Sequence, residues 1–188
     1  MRKVIAILIF VFVSGVCSAP NIDFRLGLIK IRTASEKEKR DYYDSEFSRF
    51  ITDLGHNESG NNWLSVNQIG CFGEWQFRES TLWHLGYRKI TLQKFINNPD
   101  IFPPDLQLTA LKTLIKLNLL DLADSKHFIG DSINGVKITT SGMIAASHLG
   151  GAGSLQKYLD SRGKVNNADL FGTSIADYMK KFNDYDLN

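Results

Sequence analysis

Glu58-Ser59-Gly60-Asn61-Asn62-Trp63 opens the stretch that decides the reading of this 188-residue chain, and Gly70-Cys71-Phe72-Gly73-Glu74-Trp75-Gln76-Phe77 completes it. Counted from Glu58, glycines fall at twelve and fifteen residues and a glutamine at eighteen. The segment before it is helical in pattern. Tyr43, Phe47, Phe50, Ile51 and Leu54 recur at the spacing of one helix face, with polar residues between them. That helix is expected to start at Lys37 and to end near Gly55-His56-Asn57, which presents Glu58 at a helix terminus. From Asn61 to Phe77 the helical period is lost. Its Gly, Asn and aromatic residues predict a loop with short strand or hairpin character.

Downstream, the pattern predicts a short helix over Glu79–Leu85, closed by Gly86. Asn97-Asn98-Pro99 and Phe102-Pro103-Pro104 mark a loop. Asp105–Leu122 carries a broad apolar face (Leu108, Leu111, Leu114, Ile115, Leu119, Leu122) and is the main core helix. Ile133-Asn134-Gly135-Val136 predicts a tight hairpin, because Asn-Gly favours positive φ. Thr140-Ser141 caps a small-residue helix, Gly142–Leu149, and Gly150-Gly151 stops it. A short helix over Ser154–Ser161 ends at Gly163, and Ser174 with Asp177 forms a capping box for a last helix ending near Phe182. There are no internal repeats, low-complexity runs or linkers.

The N-terminus has the composition of a secretory signal. Arg2 and Lys3 precede an apolar run, Val4 to Val13, and small residues follow at Ser14, Gly15, Ser18 and Ala19. The run is shorter than the ~20 residues of a permanent membrane span. Residues 1–19 are therefore assigned to a signal peptide, 20–36 to a leader segment without clear period, and 37–188 to one domain. A periplasmic or secreted location follows. Cys17 raises a lipoprotein alternative, against which the bulky Val16 counts. Arg2 and Lys3 also supply the whole formal net charge of +2, so nothing in the charge balance or its distribution predicts a nucleic-acid partner. After cleavage Cys71 is the one cysteine, so no internal disulfide forms, and it reads as a small buried filler between two glycines. His56, His84 and His127 read as structural histidines satisfied by nearby carbonyls, and no His/Cys/Asp spacing predicts a metal or other cofactor.

The ladder of Glu58, Ser59, Gly70, Gly73 and Gln76 resembles the soluble lytic transglycosylase family of the lysozyme-like superfamily. A second match lies in Ala145-Ala146-Ser147-His148-Leu149-Gly150-Gly151-Ala152-Gly153, where the family carries Ala-Tyr-Asn-Ala-Gly-x-Gly. Gly151 and Gly153 match; His148 stands at the tyrosine and Leu149 at the asparagine. The Gly172–Phe182 tail, Gly-Thr-Ser through Tyr-Met-Lys-Lys-Phe, belongs to the same likeness, which covers roughly residues 40–182.

The resemblance implies a mostly α, lysozyme-like (α+β) domain with a small loop or hairpin region beside the active-site groove. It implies cleavage of the MurNAc–GlcNAc bond of peptidoglycan glycan strands by one catalytic glutamate, Glu58. In such a reaction the sugar's own C6 hydroxyl attacks, and the product ends in 1,6-anhydro-muramic acid. Ser59, Trp63, Asn67, Gly70, Gly73, Trp75, Gln76 and His148 are the expected substrate-binding residues, with His148 able to replace the tyrosine hydroxyl on Glu58. Residue chemistry points the same way. A proton donor to a glycosidic oxygen needs a raised pKa, and Trp63, Phe72, Trp75 and Phe77 are placed to desolvate Glu58 and to meet sugar rings.

Two alternatives come from other assignments of the same residues. A hydrolytic muramidase needs a second carboxylate, for which Glu74 is the acid inside the motif. A catalytically inactive wall-binding module would keep the groove but has no use for a buried acid.

Overall fold

The computed structural model describes residues 22–187, so the expected signal peptide over 1–19 and its Cys17 lie outside the described residues. The chain divides into two units between Arg40 and Asp41. The first contributes the opening of helix α1, and the second carries everything that follows.

Helix α1 runs Ile22–Ser59 and therefore begins at Ile22, not at Lys37. The leader has no proline after Pro20 and a single glycine, Gly27. Extending an existing helix carries no nucleation cost, so weak periodicity does not stop it. In the second unit the expected face is mostly observed. Phe50 and Leu54 are fully buried and Phe47 and Ile51 pack against the core, whereas Tyr43 is 41% exposed.

Gly55 lies inside the helix and does not end it. A Cβ there would meet Asn61 Oδ1 at 2.6 Å and Glu74 Oε1 at 2.9 Å, so its absence lets the following loop lie against α1. The helix ends instead through two left-handed residues, Gly60 (φ 68°) and Asn61 (φ 59°), whose N–H groups return to His56 O and Gly55 O.

The loop that follows is held by isolated antiparallel bridges, Val66 with Phe72 and Phe72 with Phe77. Helix α2 spans Glu79–His84, and Gly86 follows at φ 91°. Helix α3, Leu92–Asn97, was not expected. Its sequence signal is brief: Thr91 caps it, and a 3-10 turn at Pro99–Ile101 follows. Helix α4 is Pro104–Asp121, followed by a 3-10 stretch, Ala123–Phe128. Strands β1 (Ser132–Ile133) and β2 (Val136–Lys137) pair antiparallel around Asn134 (φ 52°) and Gly135 (φ 79°), as Asn-Gly predicts.

Helix α5, Thr140–Gly150, is capped by Thr139 one residue before the expected cap, and is buried from Ser141 through Ser147. Helix α6 is Ala152–Asp160. Helix α7, Ile175–Lys181, carries the expected capping box, with Ser174 Oγ accepting from Asp177 N and Asp177 Oδ2 accepting from Ser174 N.

The fold is mostly helical with one two-stranded sheet. The small residues of α5 explain its central place. A Cβ on Gly142 would stand 3.0 Å from Met179 O, so α7 approaches α5 closely where no side chain intervenes. Phe72, Phe77, Phe95 and Phe102 form an aromatic cluster; Phe72 and Phe95 have ring centroids 4.9 Å apart, and Phe77 meets Phe102 edge-on at 5.7 Å. At the other end Phe50 packs edge-on against Phe182 and Tyr185, and the Tyr185 hydroxyl donates to Asp53 Oδ2 at 2.8 Å. Each such fully buried side chain contributes about 1.5–3 kcal/mol. No helix among the described residues is long and apolar enough to cross a membrane.

Candidate active site

A cleft of about 1010 Å3 opens where the end of α1, the 61–78 loop, the end of α5 and the 164–174 loop meet α7. Four expected site residues line it: Glu58, Asn67, Gln76 and His148. Ser59, Trp63, Gly70, Gly73 and Trp75 do not.

Glu58 sits in the last turn of α1, half-buried, and its Oε1 accepts a 2.6 Å hydrogen bond from the Tyr178 hydroxyl. Tyr178 Oη in turn accepts from Asn57 Nδ2 at 2.7 Å, and Lys181 Nζ donates to Asn57 Oδ1. Tyr178 and Lys181 are one turn apart on α7, so both face the end of α1. Burial, and then the Glu58 carboxylate beside it, push the Tyr178 hydroxyl far above the usual tyrosine range. It therefore stays a proton-bearing donor at any working pH. The hydroxyl that holds the glutamate thus comes from residue 178, not from position 148. Sequence reasoning located the helix through its capping box, but no local signal connects residues separated by 120 positions.

His148 has a different partner. Its Nε2 meets Trp75 O at 2.9 Å, and a carbonyl only accepts, so Nε2 carries the proton. Nδ1 is buried without a hydrogen-bond partner. The ring stands edge-on to Phe77 at 6.2 Å.

The ladder residues brace the loop. Ser59 Oγ donates to Glu74 O at 2.7 Å and accepts from Asn62 N, which ties the end of α1 to the 73–77 turn. Asn67 Oδ1 accepts from Ile69 N and Cys71 N and so closes its own turn. Gln76, at φ 49°, donates from Nε2 to Gly73 O at 2.8 Å. Gly73 sits at φ 82°, and a Cβ there would stand 2.6 Å from Gln107 Oε1. It makes room for the buried Gln107 of α4. Gln107 accepts from Glu74 N at 2.7 Å and donates to Phe102 O and Trp63 O, linking three segments through one amide. A lone glutamine on a helix otherwise read by its leucines carries no sequence signal of this role.

The expected aromatic wall is mostly core. Trp75 is 4% exposed, with Nε1 donating to Ile51 O at 2.9 Å, and Phe72 is fully buried. Sites in a continuous aromatic core are filled by the rings with the greatest apolar area, which leaves neither face for a ligand. Cys71 is likewise buried. Glu74 lies outside the cleft beside Gly55, and burial pushes its carboxyl above the usual range.

Two other acids line the cleft, and both are engaged. Asp177 serves the cap of α7. Asp169 Oδ1 accepts from Phe171 N and Thr173 N, each at 2.9 Å. Searches of protein-family models, curated proteins and solved structures find no match to this chain.

Proposed function

We propose that this protein is a lytic transglycosylase that cleaves peptidoglycan glycan strands between N-acetylmuramic acid and N-acetylglucosamine, with Glu58 as the single acid and base. The observation that carries the reading is the Glu58 carboxyl, presented at a helix end into a large cleft and oriented by the Tyr178 hydroxyl at 2.6 Å. The cleft has the size that binds several sugar-sized groups. Glu58 gives its proton to the glycosidic oxygen as the C1–O bond breaks. The muramyl C6 hydroxyl then bonds to C1 and returns its proton to the Glu58 carboxylate. No water is consumed, and the enzyme ends in its starting state.

The other cleft carboxylates support one acid over two. Asp169 and Asp177 accept backbone N–H groups in a turn and a cap, and Glu74 lies elsewhere. Mass spectrometry of sacculi digested by the mature protein is expected to show muropeptides ending in 1,6-anhydro-muramic acid. Reducing ends alone would make the protein a muramidase. Attention would then move to Asp169, which shares the surroundings of Tyr178 with Glu58, and not to Glu74. A periplasmic or secreted site of action is part of the same proposal.

Tyr178→Phe keeps the ring and removes the donor. A hydrogen bond to a charged group is worth about 1.5–3 kcal/mol, so kcat is expected to fall roughly tenfold to a hundredfold. The melting temperature should change little. A parallel loss of melting temperature and activity would make Tyr178 a packing residue.

A further inference from the structure

The 164–174 loop ends in a turn whose tip carries two large apolar side chains largely open to solvent. Leu170 is 76% exposed and Phe171 66% exposed, the most exposed large apolar residues among those described, and they are adjacent. Both line the cleft that holds Glu58. Scattered exposed apolar residues are ordinary, but a neighbouring pair at a cleft rim is not.

The turn that carries them is closed by its own hydrogen bonds. Asp169 Oδ1 accepts from Phe171 N and Thr173 N, Asp169 N donates to Thr173 O at 2.9 Å, and Gly172 at φ 87° closes the reversal. Ala168 and Ser174 form an antiparallel bridge at its base. Asn166 Oδ1 accepts from Ala176 N at 3.1 Å, which fixes the loop to α7. A ring on such a turn loses little further freedom when a ligand covers it.

The other phenyl rings of the cleft are buried, Phe77 at 2% and Tyr178 at 6% exposure. Phe171 is thus the one phenyl face among the described cleft residues that is open to a ligand.

We propose that Phe171 is a sugar-binding platform of this cleft, its ring stacking on the apolar face of a hexopyranose of the bound glycan strand. The proposal rests on the carbohydrate reading of the site. An axial C–H face of a pyranose presents apolar, slightly positive hydrogens to the negative face of an aromatic ring. The alternative occupant, a lipid surface entered by Leu170 and Phe171, is disfavoured because the turn carries an acid, Asp169, and no base.

The test uses the full mature chain with Glu58→Gln, so that binding is measured without turnover. The probe is a linear N-acetylglucosamine oligomer titrated by calorimetry, with phosphatidylglycerol vesicles in a parallel sedimentation assay. Phe171→Ala is expected to weaken oligosaccharide binding about tenfold, the loss of one apolar stacking contact. Phe171→Trp should restore it. Equal affinity for the parent and Phe171→Ala overturns the platform and leaves the glycan reading standing. Vesicle binding that Phe171→Ala abolishes, with oligosaccharide affinity unchanged, overturns it in favour of a lipid surface. No oligosaccharide binding by the parent overturns the glycan reading and the platform together.

Discussion

Glu58→Gln is expected to lower glycan cleavage by about a hundredfold to ten-thousandfold, because an amide keeps the shape of the side chain but has no proton to give to the leaving oxygen. The fold should survive. Tyr178 Oη still finds an acceptor at the amide oxygen, and Asn57 and Lys181 keep their own contacts. Turbidity loss of purified sacculi measures the rate, and thermal melting checks the fold. A Gln variant that clears sacculi at near the parent rate would remove Glu58 from the chemistry. Glu74→Gln in the same assay tests the muramidase alternative in the form that takes Glu74 as its second carboxylate. Glu74 is outside the cleft, so activity is expected to persist, whereas a two-carboxylate muramidase built on Glu74 would lose it.

Gln107→Leu should produce the largest loss of stability. The amide is fully buried and serves Glu74 N, Phe102 O and Trp63 O. Leucine fills a similar volume and leaves those three backbone groups without their partner. Each buried group left unsatisfied costs about 1–3 kcal/mol, and partial rehydration near the half-buried Trp63 reduces the sum, so about 3–5 kcal/mol is expected. For a domain of this size that lowers the melting temperature by roughly 10 °C or more. Gly73→Ala probes the same contact from the other side. Its Cβ enters the space of Gln107 Oε1 at a backbone conformation that L residues rarely adopt. Wild-type stability in both variants would show that the 61–78 loop is held by other means.

Local chemistry in the sequence was enough for much of the architecture. The face of α1 through Leu54, the Asn-Gly hairpin, the leucine face of α4 and the Ser174–Asp177 box each depend on residues a few positions apart. Helix starts were harder. The opening of α1 before Lys37 has no strong period, and α3 is too short to display one. Gly55 misled because glycine marks a helix end in isolation but a close approach in a packed fold.

The site divides along the same line. Composition and spacing determined that an acid stands at the end of a helix before a glycine-bearing loop. Burial decided which aromatic rings remain in the cleft, and Trp75 and Phe72 went to the core because apolar area is most stable there. Which hydroxyl meets Glu58 was decided by the close packing of α7 on Gly142 of α5, which brings Tyr178 across 120 positions of chain. The place of Gln107 depended on the vacancy at Gly73. A sequence records the ends of such contacts separately, and only the packed tertiary structure sets the distance between them.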